Sequence, residues 1–220
     1  MKSEWMFEAD GIVKTFGPTK ALAGVHFQLR RGEVHGLMGE NGSGKSTLSS
    51  IIAGIQRCDQ GEMRLEGQPY SPKSTLEAVD NGVCMIVQEQ GTFTGTTVAE
   101  NIFLGNEPRR RGIIDYNKMV NDSGEILSRL KIKINPAVLV EDLGVGMKQM
   151  VAIAKSLSRN PKVLILDEPS AALTEAETDN LLAIIKDLSR QGVACVYISH
   201  RLDEVLAIAD NITVIRDGNT

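Results

Sequence analysis

The sequence predicts an α/β protein built around a phosphate-binding core, and three observations carry that prediction. The stretch Gly39-Glu40-Asn41-Gly42-Ser43-Gly44-Lys45-Ser46-Thr47 fits the pattern G-x-x-x-x-G-K-[ST], with an apolar run, Val34 to Met38, before it and a helical pattern, Thr47 to Ile55, after it. Two further apolar runs, Val163 to Leu166 and Ala194 to Ile198, are continuous rather than alternating, as in parallel strands covered on both faces. Between these α/β stretches lies a region, opening near Thr97, in which apolar residues recur at helical spacing.

Taken in order, residues 5 to 37 read as short strands broken by turns. Ile12 to Phe16 ends at Gly17-Pro18, Val25 to Leu29 alternates, and Arg31-Gly32 turns into the strand that delivers the glycine loop. Gly61 to Gly67 reads as a strand between two glycines. Ser74 to Asn81 reads as a helix stopped by Gly82, and Val83 to Val87 as a short buried strand ending at Gln88. In the central region, Asp115 caps a helix running to Leu130, and Gly146 to Leu157 forms another, its Met147 and Met150 read as core packing. Arg109-Arg110-Arg111 is an exposed cationic run in a loop, either a solvated surface or a partner contact. A helix over Thr178 to Arg190, stopped by Gly192, and a strand over Asn211 to Arg216, closed by Asp217-Gly218, complete the chain.

At 220 residues the chain accommodates one large domain or a core with a smaller lobe. Its 42% apolar and 24% charged residues suit a soluble globular protein, and a net charge of -4 gives no general pull toward nucleic acid or anionic lipid. Cys58, Cys84 and Cys195 fit neither a metal pattern nor a disulfide framework, which points to a reducing cytoplasm. Met1 to Asp10 lacks the apolar core of a signal peptide. No run approaches the roughly 18–20 apolar residues of a membrane span.

The chemistry begins at the glycine loop. Glycines let the backbone fold tightly enough for several N–H groups to face one set of phosphate oxygens, and the following helix adds its partial positive charge. Lys45 supplies a full cation for the β- and γ-phosphates, and the Ser46 hydroxyl is placed to ligate Mg²⁺. Asp167 and Glu168 end the strand Val163 to Leu166, where side chains of a parallel sheet reach the ligand crevice. There Asp167 would hold Mg²⁺ opposite Ser46, and Glu168 would polarise a water for attack on the γ-phosphate. Phe16 admits two readings, a purine stack or core packing. His26 and His35 read as structural. His200, at a strand end, stays open between the two.

Over essentially its whole length the chain resembles the nucleotide-binding cassette of an ABC transporter. That resemblance implies a P-loop NTPase core with a mostly parallel sheet, an N-terminal antiparallel β subdomain and an inserted helical subdomain. The implied division is residues 1–89 with 158–220 for the ATP-binding core and 90–157 for the helical part. Phe16 then matches the adenine-stacking aromatic. Gln88 matches the glutamine that senses Mg²⁺ and couples to membrane subunits, and His200 the switch histidine that reaches the γ-phosphate. Leu143-Gly144-Val145-Gly146-Met147 occupies the signature position that caps the ATP of an opposite cassette, and Ser170 to Thr174 the loop by which two cassettes communicate. The usual second residue of the signature is serine; Gly144 keeps the backbone donors and lacks the hydroxyl.

Val98 to Gly105, Lys148 to Val151 and Tyr197-Ile198-Ser199-His200-Arg201 further resemble importers of the ribose, galactose and xylose type, in which two cassettes are usually fused. The resemblance implies an ATPase using ATP and Mg²⁺ on the cytoplasmic face of the cell membrane. Its implied partners are a second cassette, fused or homodimeric, transmembrane permease subunits and, indirectly, a substrate-binding protein, with no nucleic acid. It also implies that this chain is the first cassette of a longer one. Two other readings remain: a soluble ABC-type ATPase acting in translation or DNA repair, and a binding-only regulatory cassette. No sustained heptads lie between Lys45 and Asp167, against the repair type; the net charge disfavours the translation type, and Lys45, Asp167, Glu168 and His200 together disfavour a binding-only role.

Overall fold

A computed structural model describes residues 4–86 and 92–220. The chain opens with a hairpin of two long strands, β1 (Trp5–Phe16) and β2 (Thr19–Arg30). Each has 12 residues, where the sequence suggests several shorter strands. Gly11 and Gly24 sit where the pairing register slips, at φ +62° and +109°. A residue without Cβ absorbs the irregularity and the strand continues past it. Next come β3 (Val34–Met38), α1 (Lys45–Ile52), β4 (Gln60–Leu65), β5 (Gln68–Pro69), α2 (Thr75–Asp80) and β6 (Val83–Ile86). The Ser74 side chain accepts the Glu77 N–H at the start of α2, and Gly82 follows its end at φ +91°.

The central segment holds α3 (Val98–Phe103), a small ribbon of β7 (Arg109–Arg110) and β8 (Ile113–Ile114), α4 (Tyr116–Arg129), a 3-10 turn at Val140–Asp142, and α5 (Val145–Leu157). The arginine run therefore lies in a hairpin rather than a loop. Reciprocal hydrogen bonds between Thr97 and Glu100 cap α3, and the Asp115 side chain caps α4. The chain ends with β9 (Val163–Asp167), α6 (Glu175–Arg190), β10 (Ala194–Ile198), α7 (Leu202–Ile208) and β11 (Asn211–Val214). Helix α6 starts three residues earlier than its apolar pattern suggests, because Thr174 and Glu177 form a second capping box. The sequence reading assigns no element to residues 202–208, where α7 lies.

The chain divides into two compact units. One, residues 1–85, 161–169 and 182–220, contains both large sheets. Its antiparallel sheet runs β2-β1-β4-β5; the other runs β11-β3-β10-β9-β6, with β11–β3, β3–β10 and β10–β9 all parallel. Residues of β9 and β10 such as Leu164, Ile165, Val196 and Ile198 are almost fully buried, which accounts for their unbroken apolar runs. The core also takes in Leu22, Leu48 and Ile51, so α1 is fixed against it directly behind the glycine loop. The second unit, residues 86–160 and 170–181, packs α3 against α4 and α5. Met150 is buried there, whereas Met147, expected beside it in the core, is 42% exposed. Position 147 lies in the first turn of α5, on the open side.

Candidate functional site

The glycine loop takes its shape from three positions. Gly39, Gly42 and Gly44 have φ of +154°, +80° and +115°, a region that side chains bearing Cβ rarely adopt. A Cβ on Gly39 would collide with the Ile215 carbonyl oxygen and the Ser43 hydroxyl; one on Gly44 would lie 2.7 Å from the Ala21 carbonyl oxygen. The Gly218 N–H donates to the Ser43 carbonyl, bracing the loop from its other side. Gly44 caps α1 without a side-chain hydrogen bond, so the first-turn N–H groups are not covered by a cap. The Ser43 hydroxyl is buried and has no hydrogen-bond partner among the described residues. Open first-turn donors at a helix N-terminus, with the unpartnered Ser43 hydroxyl beside them, suit an anion.

Lys45 is 6% exposed, and its ammonium donates to the carbonyls of Gly39 and Glu40 at 2.8 and 2.9 Å. Those bonds fold the side chain back along the loop. Ser46, in the first turn of α1, lies beside the Asp167 carboxyl at the end of β9 and favours its charged form, as does Lys45 acting through space. Partial burial raises the Asp167 pKa above the usual carboxylate value, and the charge of Glu168 adds to this; Lys45 and Ser46 pull the other way. Two oxygen donors thus meet beside a fixed cation. Among the described residues no cluster of three or more His, Cys, Asp or Glu could hold a metal. A hard cation bound at Ser46 and Asp167 would draw its other ligands from water and phosphate oxygens.

Glu168 has φ +46°, a left-handed conformation unusual for a residue with Cβ. Its N–H donates to the Ile198 carbonyl at the end of β10, which locks the turn. The turn aims its carboxylate at His200, with Nδ1 3.3 Å from Oε1. The His200 side chain is 60% exposed, but its neighbours are anchored. The Ser199 hydroxyl donates to Glu204 Oε2 at 3.2 Å, Tyr197 OH donates to the same oxygen at 2.7 Å, and the Arg201 guanidinium pairs with the other oxygen, Oε1, at 2.9 Å. The Arg201 N–H also donates to the Ser199 hydroxyl. Glu204, 3% exposed, thereby fixes the residues on both sides of His200. Sequence reading missed it, because its role is visible only once 202–208 is seen as a helix.

Phe16 is 46% exposed at the end of β1 and stands outside the core, which removes the core-packing reading, with the Lys14 ammonium 5.6 Å from its ring centre. The next strand, β2, runs from this hairpin end past the glycine loop, with the Ala21 carbonyl against Gly44. His35 is buried between Glu33 and Thr213, and exposed His26 pairs with Asp10. Gln88 lies outside the described residues. In the second unit Leu143 to Met147 form the lead-in and first turn of α5, with Val145 and Met147 exposed and Gly144 making no side-chain cap. Gly146 is buried for a reason the sequence does not show: a Cβ there would overlap the Glu177 carboxylate held in the second capping box.

Comparison with known proteins follows the same lines. The sequence pattern of the ABC transporter family matches residues 22–171. The chain is 47% identical over 220 residues to the xylose import ATP-binding protein of Thermoanaerobacter pseudethanolicus, covering 99% of this chain and 44% of that one. It is 48% identical over 217 residues to a putative ribose/galactose/methyl galactoside import ATP-binding protein of Agrobacterium fabrum, covering 98% and 42%. The chain thus spans less than half the length of these relatives. Among solved structures, the ADP conformation of MJ1267, an ATP-binding cassette of an ABC transporter, superposes with a TM-score of 0.88 at 30% identity, covering 99% of this chain and 89% of that one. A nucleotide-free cassette superposes with a TM-score of 0.87 at 29% identity, covering 98% and 89%. Fold, loop geometry and sequence agree: the chain belongs to the ABC transporter family.

Proposed function

We propose that this chain binds and hydrolyses ATP as one cassette of a sugar importer whose membrane-spanning subunits are separate proteins. The observation that carries the reading is the meeting of Lys45, Ser46 and Asp167 at one strand edge, with Glu168 beside them in contact with His200. The relatives are named for import of xylose, or of ribose, galactose and methyl galactoside, which supports a monosaccharide as cargo. No helix among the described residues is long and apolar enough to cross a membrane. In this reading the chain sits on the cytoplasmic face of the cell membrane and engages permease subunits there, as the import function of its relatives supports.

In this mechanism adenine stacks on Phe16 and the phosphates lie on the loop from Gly39 to Thr47, with Lys45 on the β- and γ-phosphates. The Ser46 hydroxyl and Asp167 carboxylate fit Mg²⁺, whose chemistry when bound is to neutralise charge on phosphate oxygens. Glu168 takes a proton from a water aligned with the γ-phosphorus. The water oxygen bonds to phosphorus as the bond to the bridging oxygen of ADP breaks, and His200 donates to a γ-phosphate oxygen. Fixed donors and charges supply most of the rate acceleration. Gln88 links this site to the permease subunits. A second cassette completes the site with its own signature, while Leu143 to Met147 of this chain serve the partner's ATP. The unit with both sheets is the ATP-binding core, and the helical unit carries the signature.

Titration calorimetry with ATP and Mg²⁺ tests the reading. The parent chain binds and Lys45→Ala does not; in the assembled transporter Glu168→Gln binds nucleotide and ceases to turn over. Undiminished binding by Lys45→Ala, or parental turnover by Glu168→Gln, would overturn it. Co-purification with RNA in place of hydrophobic subunits would move the chain to the soluble ATPases.

A further inference from the structure

The hairpin β7–β8 combines features that neither the nucleotide site nor the packing of the helical unit uses. Arg109, Arg110 and Arg111 are all exposed, and among the described residues none forms an ion pair. Arg110 lies directly opposite Ile113 across the ribbon, so cation and apolar side chain share one face. Ile113 is 74% exposed and Tyr116, just beyond, is 58% exposed; Ile113 is the most exposed large apolar residue among those described. The turn between the strands is Arg111-Gly112, with φ of +52° and +85°. Both signs match a type I′ turn, whose first position favours Asn, Asp or Gly over a long cationic side chain. Arginine there is unfavourable for folding, which directs attention to what its charge does outside the fold.

We infer that this hairpin is a contact for anionic phospholipid headgroups, with Ile113 and Tyr116 entering the interfacial layer beneath them. Charge complementarity selects that occupant. The guanidinium groups of Arg110 and Arg111, outside any ion pair among the described residues, bind phosphates with paired N–H donors, and an exposed aliphatic and a tyrosine beside them match the boundary between headgroups and acyl chains. The net charge of -4 opposes attraction of the chain as a whole to an anionic bilayer, so any such binding must come from a local patch. The contact goes beyond ATP hydrolysis: it would hold the helical unit against the membrane surface independently of the permease subunits.

Flotation of the 220-residue chain with vesicles provides the test, comparing phosphatidylcholine alone with an equimolar mixture of phosphatidylcholine and phosphatidylglycerol. The expected result is retention on the anionic vesicles only, lost at about 0.5 M salt. Each arginine near an anionic surface contributes about fivefold in affinity, so R110Q/R111Q weakens retention about twenty-five-fold. I113S weakens it several-fold by removing the apolar contact. All three positions are exposed and outside the core, and unchanged circular dichroism confirms intact variants. Equal retention on both vesicles, no retention on either, or undiminished retention of R110Q/R111Q would each overturn the inference; the second outcome would leave a protein as the occupant.

Discussion

Replacing Glu204 with alanine tests whether His200 is held by its neighbours or merely lies near them. The buried carboxylate accepts from Tyr197 and Ser199, and charge-assisted bonds of this kind contribute about 1.5–3 kcal/mol each. Two of them set an upper range of roughly 3–6 kcal/mol. Arg201, with a side chain 38% exposed, returns to water when its partner is removed, so the ion pair adds at most about 1 kcal/mol. Losing the charge also removes its own burial cost, and we expect a net loss of about 3 kcal/mol. With a urea m-value of about 2–3 kcal/mol/M, the unfolding midpoint of Glu204→Ala falls by about 1–1.5 M. Glu204→Gln retains the volume and one acceptor and falls by about half as much. In the proposed transporter assembly both variants should lower kcat for ATP and leave KM nearly unchanged, since the loop from Gly39 to Thr47 is untouched. A Glu204→Ala midpoint within about 0.3 M of the parent would refute the stability estimate; parental kcat would refute the positioning of His200.

Other outcomes follow from the same geometry. Asp167→Asn should stabilise the chain near neutral pH while impairing turnover. A carboxylate whose folded pKa is raised loses stability as pH rises from its unfolded value through its folded one, so urea midpoints of parent and variant should converge in acid and separate above that window. Gly146→Ala would ordinarily strengthen a helix, yet here it should lower thermal stability by forcing Glu177 out of its capping box, and Gly146→Ala/Glu177→Ala should show a smaller loss than the sum of the single changes. A melting temperature raised by Gly146→Ala would refute the contact. Gly144→Ser meets open space and a φ that serine accepts, so it should fold normally and raise ATPase activity of the complete assembly; unchanged turnover would show that the missing hydroxyl carries no deficit.

The nucleotide loop, the buried parallel strands and most helix boundaries were legible because each has a local cause: a glycine motif, a two-sided core or a capping side chain. Strand Ala194–Ile198 matches its apolar run to the residue, and helix Tyr116–Arg129 lies between its predicted cap and end. What escaped the sequence depends on contacts between distant residues. The several short strands expected at the start of the chain become one hairpin only when β1 and β2 are paired, with Gly11 and Gly24 at irregularities within it. Met147 has the helical spacing of a core residue, but its exposure depends on which turn of α5 is covered. Glu204 and the pairing of Gly146 with Glu177 carry no motif, since each needs two elements already in place. Conversely, that Asp167 lies beside Ser46 could be anticipated, because β9 and the strand feeding the glycine loop end at one edge of the sheet.

The bracing of the phosphate loop has a consequence for how the protein acquires function during synthesis. The nine-residue motif is contiguous, yet its shape rests on the Ala21 carbonyl before it and on Ile215 and Gly218 far beyond it. The same distant segment secures the strand that delivers the loop: the Val34 N–H donates to Asp210, 176 residues away in sequence. A ribosome that has already released the entire motif therefore carries a chain that cannot yet form its cradle. Contacts of such separation form late and close slowly. Nucleotide should accordingly act as a ligand for the finished fold, and not as a nucleus around which the nascent chain assembles.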